Sequence, residues 1–201
     1  MTVIQWKKQD NIALIEMCKG PNRMNREFSS QMIRCLDEVE QDLTLQALVL
    51  TSADEKNFSQ GIDVEWIGGA LHQGKSQDVK DFMYQMNAIF KRLLLYPVPV
   101  IAAIHGACIG GGIDMITACD IRFASRDAYF SIEETNIGMA ADVGTLQRMP
   151  KLIAPAIVAE LALTGRRCTA EEALGWGLIS AVHDDAGAVR AAGLEMGRQI
   201  A

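Results

Sequence analysis

The sequence lacks any paired cysteine motif. Its five cysteines, Cys18, Cys35, Cys108, Cys119 and Cys168, are odd in number, and no two of them stand in a C-x-x-C arrangement. Neither a disulfide framework nor a zinc site is therefore indicated, and we expect no bound metal and a reducing compartment.

Positive charge is also scarce. The 201 residues include 19 Lys and Arg against 25 Asp and Glu, which gives a formal net charge of -6, and the basic residues are scattered. Because nucleic-acid binding requires clustered Lys and Arg to neutralise phosphates, no nucleic-acid partner is expected.

Long apolar runs and targeting signals are missing from the sequence as well. The longest apolar stretch, Leu93 to Ile104, is too short to span a bilayer and is interrupted by two prolines, so it reads as a buried strand. Residues 1–8 lack the order of a secretory signal and the composition of a transit peptide, and the last residues are not a peroxisomal address. We therefore expect a cytoplasmic protein without membrane contact.

Nucleotide-binding loops are absent too. The run Gly110-Gly111-Gly112 is not followed by a Lys-Ser/Thr pair, and the spacing from Gly106 to Gly110 does not fit the dinucleotide fingerprint. Nucleoside triphosphate and NAD cofactors are therefore not expected.

The glycine run itself is the most informative feature that is present. It follows the apolar run Val98 to Ile104 and opens a short amphipathic stretch with Asp114, while Glu134 and Asp142 follow along the chain. Glycines leave backbone N–H groups uncovered, so a ligand oxygen that gains negative charge can approach the main chain where a helix begins. Nearby carboxylates could then transfer protons. The same glycines would equally permit close packing of a helix on a sheet.

Apolar periodicity predicts alternating strands and helices. Ile12 to Met17 and Ala47 to Thr51 are short β-branched runs, and between them Phe28, Met32, Leu36 and Val39 recur at helical spacing. Two further strands are predicted at Ile121–Ala124 and Tyr129–Ile132, a second helix through Phe82–Leu93, and three final helices at Pro155–Leu163, Ala170–Trp176 and from Ala186 onward. The pattern predicts one α/β domain over residues 1–201 built from repeated strand-turn-helix units.

Two segments between these elements look irregular. Gly68-Gly69 predicts a break, and the polar residues from Leu71 to Asp81 predict a mobile loop beside a site. Gly61 is expected to adopt an unusual backbone angle, and Asp63 is expected to cap the next helix.

Four strings make the chain resemble the crotonase superfamily, also called enoyl-CoA hydratase/isomerase. They are Phe58-Ser-Gln-Gly-Ile-Asp63, His105-Gly-Ala-Cys-Ile-Gly-Gly-Gly112, Ala118-Cys-Asp-Ile-Arg122 and Leu163-Thr-Gly-Arg166 with Glu172-Ala-Leu-Gly-Trp-Gly-Leu178. The resemblance implies a spiral of ββα units with C-terminal helices, assembled as a homotrimer or homohexamer. It also implies an acyl-CoA substrate and no further cofactor. Relatives of this kind continue beyond the position of Ala201, so we expect a truncated or unusually short helical part.

The resemblance also assigns binding positions. It implies that the thioester oxygen is held in an oxyanion hole by the backbone N–H groups of Ile62 and Gly111. The remaining positions matched to the substrate-binding and CoA-binding motifs are Asn22, Arg23, Met24, Gln60, Gly61, Asp63 and Gly110.

The acids and their flanking segments resemble most closely the dienoyl-CoA isomerase branch of that superfamily. In hydratases, glutamates at the positions of Asp114 and Glu134 hold a water, and the position of Asp142 is usually glycine. The branch therefore implies that Glu134 removes a proton at C2, that Asp142 protonates C6 and that Asp114 orients or tunes the pair, with the first two roles exchangeable. Taken alone, Asp114 or Asp142 could instead cap a helix.

Other functions stay open at this point. Spacing does not decide whether Glu133 or Glu134 faces the site. A hydratase or a Δ3,Δ2-enoyl-CoA isomerase is the nearer alternative function. A non-catalytic acyl-CoA-binding or scaffold protein is the more distant one.

Overall fold

Two sheets form the framework of the computed structural model, which describes residues 2–201. The strands are β1 (Ile4–Gln9), β2 (Ile12–Met17), β3 (Ala47–Ser52), β4 (Asn57–Ser59), β5 (Val100–Ile104), β6 (Ala107–Ile109), β7 (Ile121–Ser125), β8 (Tyr129–Ser131), β9 (Cys168–Thr169) and β10 (Ala181–His183). The larger sheet has six strands in the order β1-β2-β3-β5-β7-β10, and the smaller has four in the order β4-β6-β8-β9.

Eight α-helices connect and cover these sheets. They are α1 (Arg26–Gln41), α2 (Val64–His72), α3 (Ser76–Leu94), α4 (Gly111–Thr117), α5 (Thr145–Arg148), α6 (Pro155–Thr164), α7 (Ala170–Trp176) and α8 (Ala186–Ile200). Two 3₁₀ turns, Glu133–Ile137 and Met149–Lys151, complete the described elements.

From β3 to β8, consecutive strands alternate between the two sheets. After β3, β5 and β7 in the larger sheet, the chain passes at once into β4, β6 and β8 in the smaller one, and parallel pairing joins equivalent strands of successive units. A helix or a 3₁₀ turn then leads to the next unit. This repeat confirms the ββα spiral expected from the sequence, and it brings the ends of β4, β6 and β8 together at one edge.

Alternation along the central strands divides their side chains between two cores. In β3, Leu48 and Leu50 face the core between the sheets, whereas Ala47 and Val49 face α8 on the outer side. Both faces of the strand are therefore covered, which explains why all six residues of β3 are buried. Gly193 of α8 lies close to this sheet, since a Cβ there would be 3.3 Å from side-chain atoms of β3 and β5.

Most predicted elements are confirmed, with boundaries shifted by a few residues. The predicted helix around Phe28 and Val39 is α1, and it buries these side chains as expected. The strand predicted within the apolar stretch from Leu93 to Ile104 begins only at Val100, because α3 continues to Leu94 and a proline corner follows. Strands β4, β6, β9 and β10 were not predicted because two or three residues leave no clear period. Strand β1 has six residues but was also missed, because only Ile4 among them is buried.

The predictions of a break at Gly68-Gly69 and of a mobile loop from Leu71 to Asp81 are wrong. Gly68 and Gly69 lie inside α2, where neither would bring a Cβ within 4 Å of other atoms, so they do not break the helix. The predicted mobile loop from Leu71 to Asp81 consists mainly of the end of α2 and the first turns of α3. Its polar residues are the solvent-facing side of helices, which composition alone does not distinguish from a loop.

Gly106 should be indispensable for the passage from β5 to β6. It has φ +57°, and a Cβ would overlap the carbonyl of Lys56. We expect Gly106→Ala to lower the free energy of unfolding by about 3 kcal/mol or more, measured by urea denaturation.

Gly68→Ala serves as the control, since it adds a methyl group to a helix at an open position. It should leave stability unchanged or raise it by up to about 1 kcal/mol. Equal effects of the two substitutions would contradict the assigned backbone path.

Candidate active site

A cavity of about 280 Å³ lies where the chain after β4, the start of α4 and the 3₁₀ turn 133–137 meet. Its wall is mostly apolar and includes Ile67, Met83 and Ile137. Of the residues predicted from the sequence, the cavity is lined by Arg23, Gln60, Ile62, Gly110, Gly111, Glu134 and Asp142. The wall does not include Asn22, Met24, Gly61, Asp63 or Asp114.

The main chain after β4 touches the main chain at the start of α4. Gly61 has the expected positive φ, +74°, and a Cβ there would lie 2.7 Å from Ile109 O and 2.8 Å from Gly111 N. Those distances are too short for any side chain, so only glycine permits this contact. A Cβ on Gly111 would in turn lie 3.4 Å from Ile62 N. Two loops that are distant in sequence therefore meet backbone to backbone.

The amides of Ile62 and Gly111 are free donors at this contact. Met24 pairs with Ile62 in a parallel bridge in which Met24 N donates to Gly61 O and Asp63 N donates to Met24 O. That pattern turns the N–H of Ile62 away from Met24. Within residues 2–201, neither the N–H of Ile62 nor that of Gly111 donates to a protein acceptor. Both residues line the cavity, so a ligand oxygen can accept from both.

Glu134 has the most strongly shifted pKa among the acids of the site. It lies on the 3₁₀ turn 133–137, and its Oε2 is buried without a hydrogen-bond partner in the described chain. Burial, reinforced by the negative charges of Asp114, Glu133 and Asp142, raises the pKa of Glu134 to about 7. The neighbouring Glu133 also lines the cavity, but Asn136 Nδ2 donates to its Oε2 at 2.8 Å. Glu134 is thus the better candidate for a base.

Asp114 is buried behind the cavity wall. Its Oδ1 accepts hydrogen bonds from Thr145 N and Thr145 Oγ1, both at 2.7 Å, and Arg148 Nη2 lies 3.7 Å away. Burial raises the pKa of Asp114, while the bonds from Thr145 and the charge of Arg148 oppose this rise. Asp114 does not cap α4, because the helix follows Gly110 and has no side-chain cap.

Asp142 differs from Asp114 in being exposed. It lines the cavity, and also a second opening of about 370 Å³ on the side of α3. The alternative that it caps a helix is wrong, since α5 follows Gly144 and has no side-chain cap. An exposed carboxyl can exchange protons with solvent, whereas Asp114 is enclosed.

Three other predicted residues hold the loops together. Asn22 is buried, accepts from Lys19 N at 3.0 Å and donates to Ser52 Oγ at 2.7 Å. Met24 is buried next to Gly111. Asp63 caps α2 as expected, because its Oδ1 accepts from Trp66 N at 3.1 Å. That these residues contact substrate stays a prediction.

No sequence pattern indicated a role for Thr145 or Arg148. Both bind Asp114, which lies 31 and 34 residues earlier in the chain. Their spacing carries no local signal, since the contact depends on α5 packing against α4.

Comparisons with known proteins agree with this geometry. A family model described as enoyl-CoA hydratase/isomerase matches residues 7–201. Human mitochondrial Δ(3,5)-Δ(2,4)-dienoyl-CoA isomerase is 41% identical over 187 residues, which cover 89% of this chain and 57% of the human protein. The peroxisomal enzyme of that name from Arabidopsis thaliana is 39% identical over 169 residues, covering 80% of this chain and 60% of the plant protein.

A solved structure confirms the crotonase-like fold. Enoyl-CoA hydratase from Bacillus anthracis superposes with a TM-score of 0.92 at 26% identity, covering 99% of this chain and 76% of that one. The chain spans less than two thirds of the length of the human and plant relatives.

The expected cytoplasmic location is wrong. The human relative is mitochondrial and the Arabidopsis relative is peroxisomal, which contradicts the interpretation of residues 1–8 and of the last residues. The composition of these short segments does not report the compartment of a chain that spans only part of its relatives. In the described part of the chain, no helix is long and apolar enough to cross a membrane. The same residues contain no cluster of three or more His, Cys, Asp or Glu able to hold a metal ion.

The carboxyl group of Glu134 should titrate near pH 7 when followed by ¹³C NMR, with Glu134→Gln used to assign the signal. Asp114→Asn should lower this pKa, because the substitution removes a negative neighbour that favours the protonated form. Glu195→Gln, on α8, should leave the titration unchanged. A Glu134 that titrates near its ordinary pKa, or an Asp114→Asn variant without effect, would contradict the described environment.

Proposed function

The chain belongs to the enoyl-CoA hydratase/isomerase family, and from this premise we propose that it isomerises 3,5-dienoyl-CoA thioesters to 2,4-dienoyl-CoA. One observation carries the proposal: Glu134 and Asp142 line the same apolar cavity as the two free amides, whereas Asp114 lies outside its wall. The relatives named Δ(3,5)-Δ(2,4)-dienoyl-CoA isomerase support the same choice.

The amides of Ile62 and Gly111 would stabilise the enolate. Removing a proton from C2 moves negative charge to the thioester oxygen, and the reaction is feasible only where that charge is stabilised. A preorganised donor in a water-poor site contributes about 3–4 kcal/mol to such a transition state. The reaction therefore needs no metal or redox cofactor in this proposal.

Two carboxyl groups would carry out the two proton transfers. Glu134 removes a proton from C2, the electrons delocalise over the chain to C6, and Asp142 delivers a proton to C6. Double bonds at C3 and C5 thereby move to C2 and C4 without net gain or loss of atoms. The pKa of about 7 for Glu134 suits a base that must accept and release a proton near neutral pH.

Hydration of a 2-enoyl-CoA is the nearer alternative. It would need Asp114 and Glu134 to hold one water between them. The position of Asp114 behind the cavity wall favours isomerisation over hydration: its Oδ1 binds Thr145, and its Oδ2, which has no partner in the described chain, is buried. A Δ3,Δ2-enoyl-CoA isomerase would require Glu134 but not Asp142.

Arg23 is the residue we propose for a CoA phosphate. It is the one cationic side chain of the described cavity wall, whose other charged residues are Glu65, Glu133, Glu134 and Asp142. Its Nη1 lies 3.4 Å from Glu65 Oε2, and 42% of its side chain is exposed. A phosphate can therefore reach the guanidinium without displacing buried groups.

Association into homotrimers or homohexamers is a further part of the proposal. Large apolar side chains remain exposed, among them Leu95 and Leu163, and such side chains favour contacts between copies.

Substrate specificity tests the proposed reaction. Mixed with a 3,5-dienoyl-CoA, the protein should produce the ultraviolet absorbance of a conjugated 2,4-dienoyl-CoA, and it should hydrate a 2-enoyl-CoA poorly. Fast hydration without diene conjugation would refute the isomerase and favour the hydratase.

The roles of the two acids can be separated by isotope exchange. Asp142→Asn should reduce formation of the conjugated product by about 10²–10⁴-fold while C2–H exchange with deuterated solvent continues. Glu134→Gln should abolish both. Loss of exchange in a folded Asp142→Asn variant would reverse the assignment, and normal isomerisation by this variant would remove Asp142 from the mechanism.

A further inference from the structure

The segment that carries Asp142 has an opening on each side. Asp142 and Val143 line the candidate active-site cavity and also the opening of about 370 Å³ next to α3. Asp142 itself is exposed, and no side-chain hydrogen bond of Asp142 occurs in residues 2–201. The carboxyl group itself is therefore not fixed by side-chain contacts, although the neighbouring Ala141 and Val143 are buried in the core.

Contacts of Arg148 in α5 add to this packing and hold the segment against α4. Arg148 Nη2 donates to Asp114 O at 2.8 Å and to Val143 O at 3.4 Å, and Arg148 Nε donates to Thr117 Oγ1 at 3.2 Å. One guanidinium thus ties the residue after Asp142 to α4. Only 14% of its side chain is exposed, so water competes little for these bonds.

Gly144 makes room for this guanidinium. It has φ +122°, and a Cβ there would overlap the guanidinium of Arg148. Arg148 N also donates to Gly144 O at 2.9 Å. The next residue, Thr145, binds the buried carboxylate of Asp114 through both its N–H and its hydroxyl group. Gly144, Thr145 and Arg148 together form what we call the α5 clamp.

We propose that the α5 clamp is a positioning device that holds Asp142 opposite Glu134 and thereby determines protonation of the dienolate at C6. Asp114 then serves as the buried anchor to which the clamp binds. Gly144, Thr145 and Arg148 contact no reacting atom and act through Asp142. The inference rests on the proposed isomerase function.

The geometry separates the effect of the clamp from that of Glu134. Glu134 lies on the 3₁₀ turn 133–137, and its carboxylate has no hydrogen bond to the clamp in the described residues. Loosening the clamp should therefore displace the acid at C6 and leave the base at C2 in place. A displacement of about 1 Å can cost on the order of 10²-fold in rate.

The test uses Gly144→Ala and Arg148→Lys in the full chain. Gly144→Ala adds a methyl group that expels the guanidinium, and Arg148→Lys keeps the charge but cannot make the three side-chain bonds. In both variants we expect formation of 2,4-dienoyl-CoA to fall by about 10²-fold, with C2–H exchange in deuterated solvent near the wild-type rate.

Gly74→Ala is the control for adding a methyl group at a positive φ, and Arg148→Lys, which leaves Gly144 in place, separates loss of the clamp from backbone strain at φ +122°. Gly74 also has a positive φ, +72°, but a Cβ there would meet no atom within 4 Å. This variant should retain both activities. Combining Arg148→Lys with Asp142→Asn should lower isomerisation no further than Asp142→Asn alone, because both changes remove the same proton donor.

The outcomes distinguish the two levels of the proposal. If the wild-type protein forms no conjugated diene, the proposed function fails. If the wild type isomerises but the clamp variants retain full activity like Gly74→Ala, the positioning role is refuted. It is also refuted if these variants lose C2–H exchange together with diene conjugation. The same holds if Arg148→Lys lowers the isomerisation rate of Asp142→Asn further.

Discussion

The contact between two stretches of main chain is the constraint on which the site depends. Gly61 reaches Ile109 and Gly111 at distances that exclude a side chain, and this contact places two unpaired amides at one cavity. The two stretches follow β4 and β6, which are parallel neighbours in the smaller sheet. The ββα repeat therefore produces the contact, since each unit returns the chain to the same edge of the sheet.

The acids of the site differ through their surroundings more than through their chemical type. Asp114 is enclosed and its Oδ1 is bound by Thr145, Glu134 is half-buried with a free Oε2, and Asp142 is exposed. Burial and like charges favour the protonated form of Glu134. One fold thus gives its three carboxyl groups an enclosed, a half-buried and an exposed environment.

A buried ion pair behind the wall links these parts. The approach of Arg148 to Asp114 lets both charged groups lie in a poorly hydrated place, because each also binds neutral donors or carbonyl groups. The same contacts join α5 to α4, whose first residue supplies one of the free amides. A substitution in the clamp would displace the amide of Gly111 only by moving α4, and all residues of α4 are buried.

Local patterns in the sequence determined the central elements, because apolar period and glycine position express backbone preferences within a few residues. They predicted β2, β3, α1 and the cap at Asp63, and the motifs located Glu134, Asp142 and the glycine run. Only the tertiary structure decided that Glu134 rather than Glu133 has the unpartnered carboxylate, that Asp114 is buried against Thr145 and that Asp142 is exposed. Burial and pairing arise from contacts between distant residues, such as Asp114 with Thr145, and no pattern along the chain encodes those contacts.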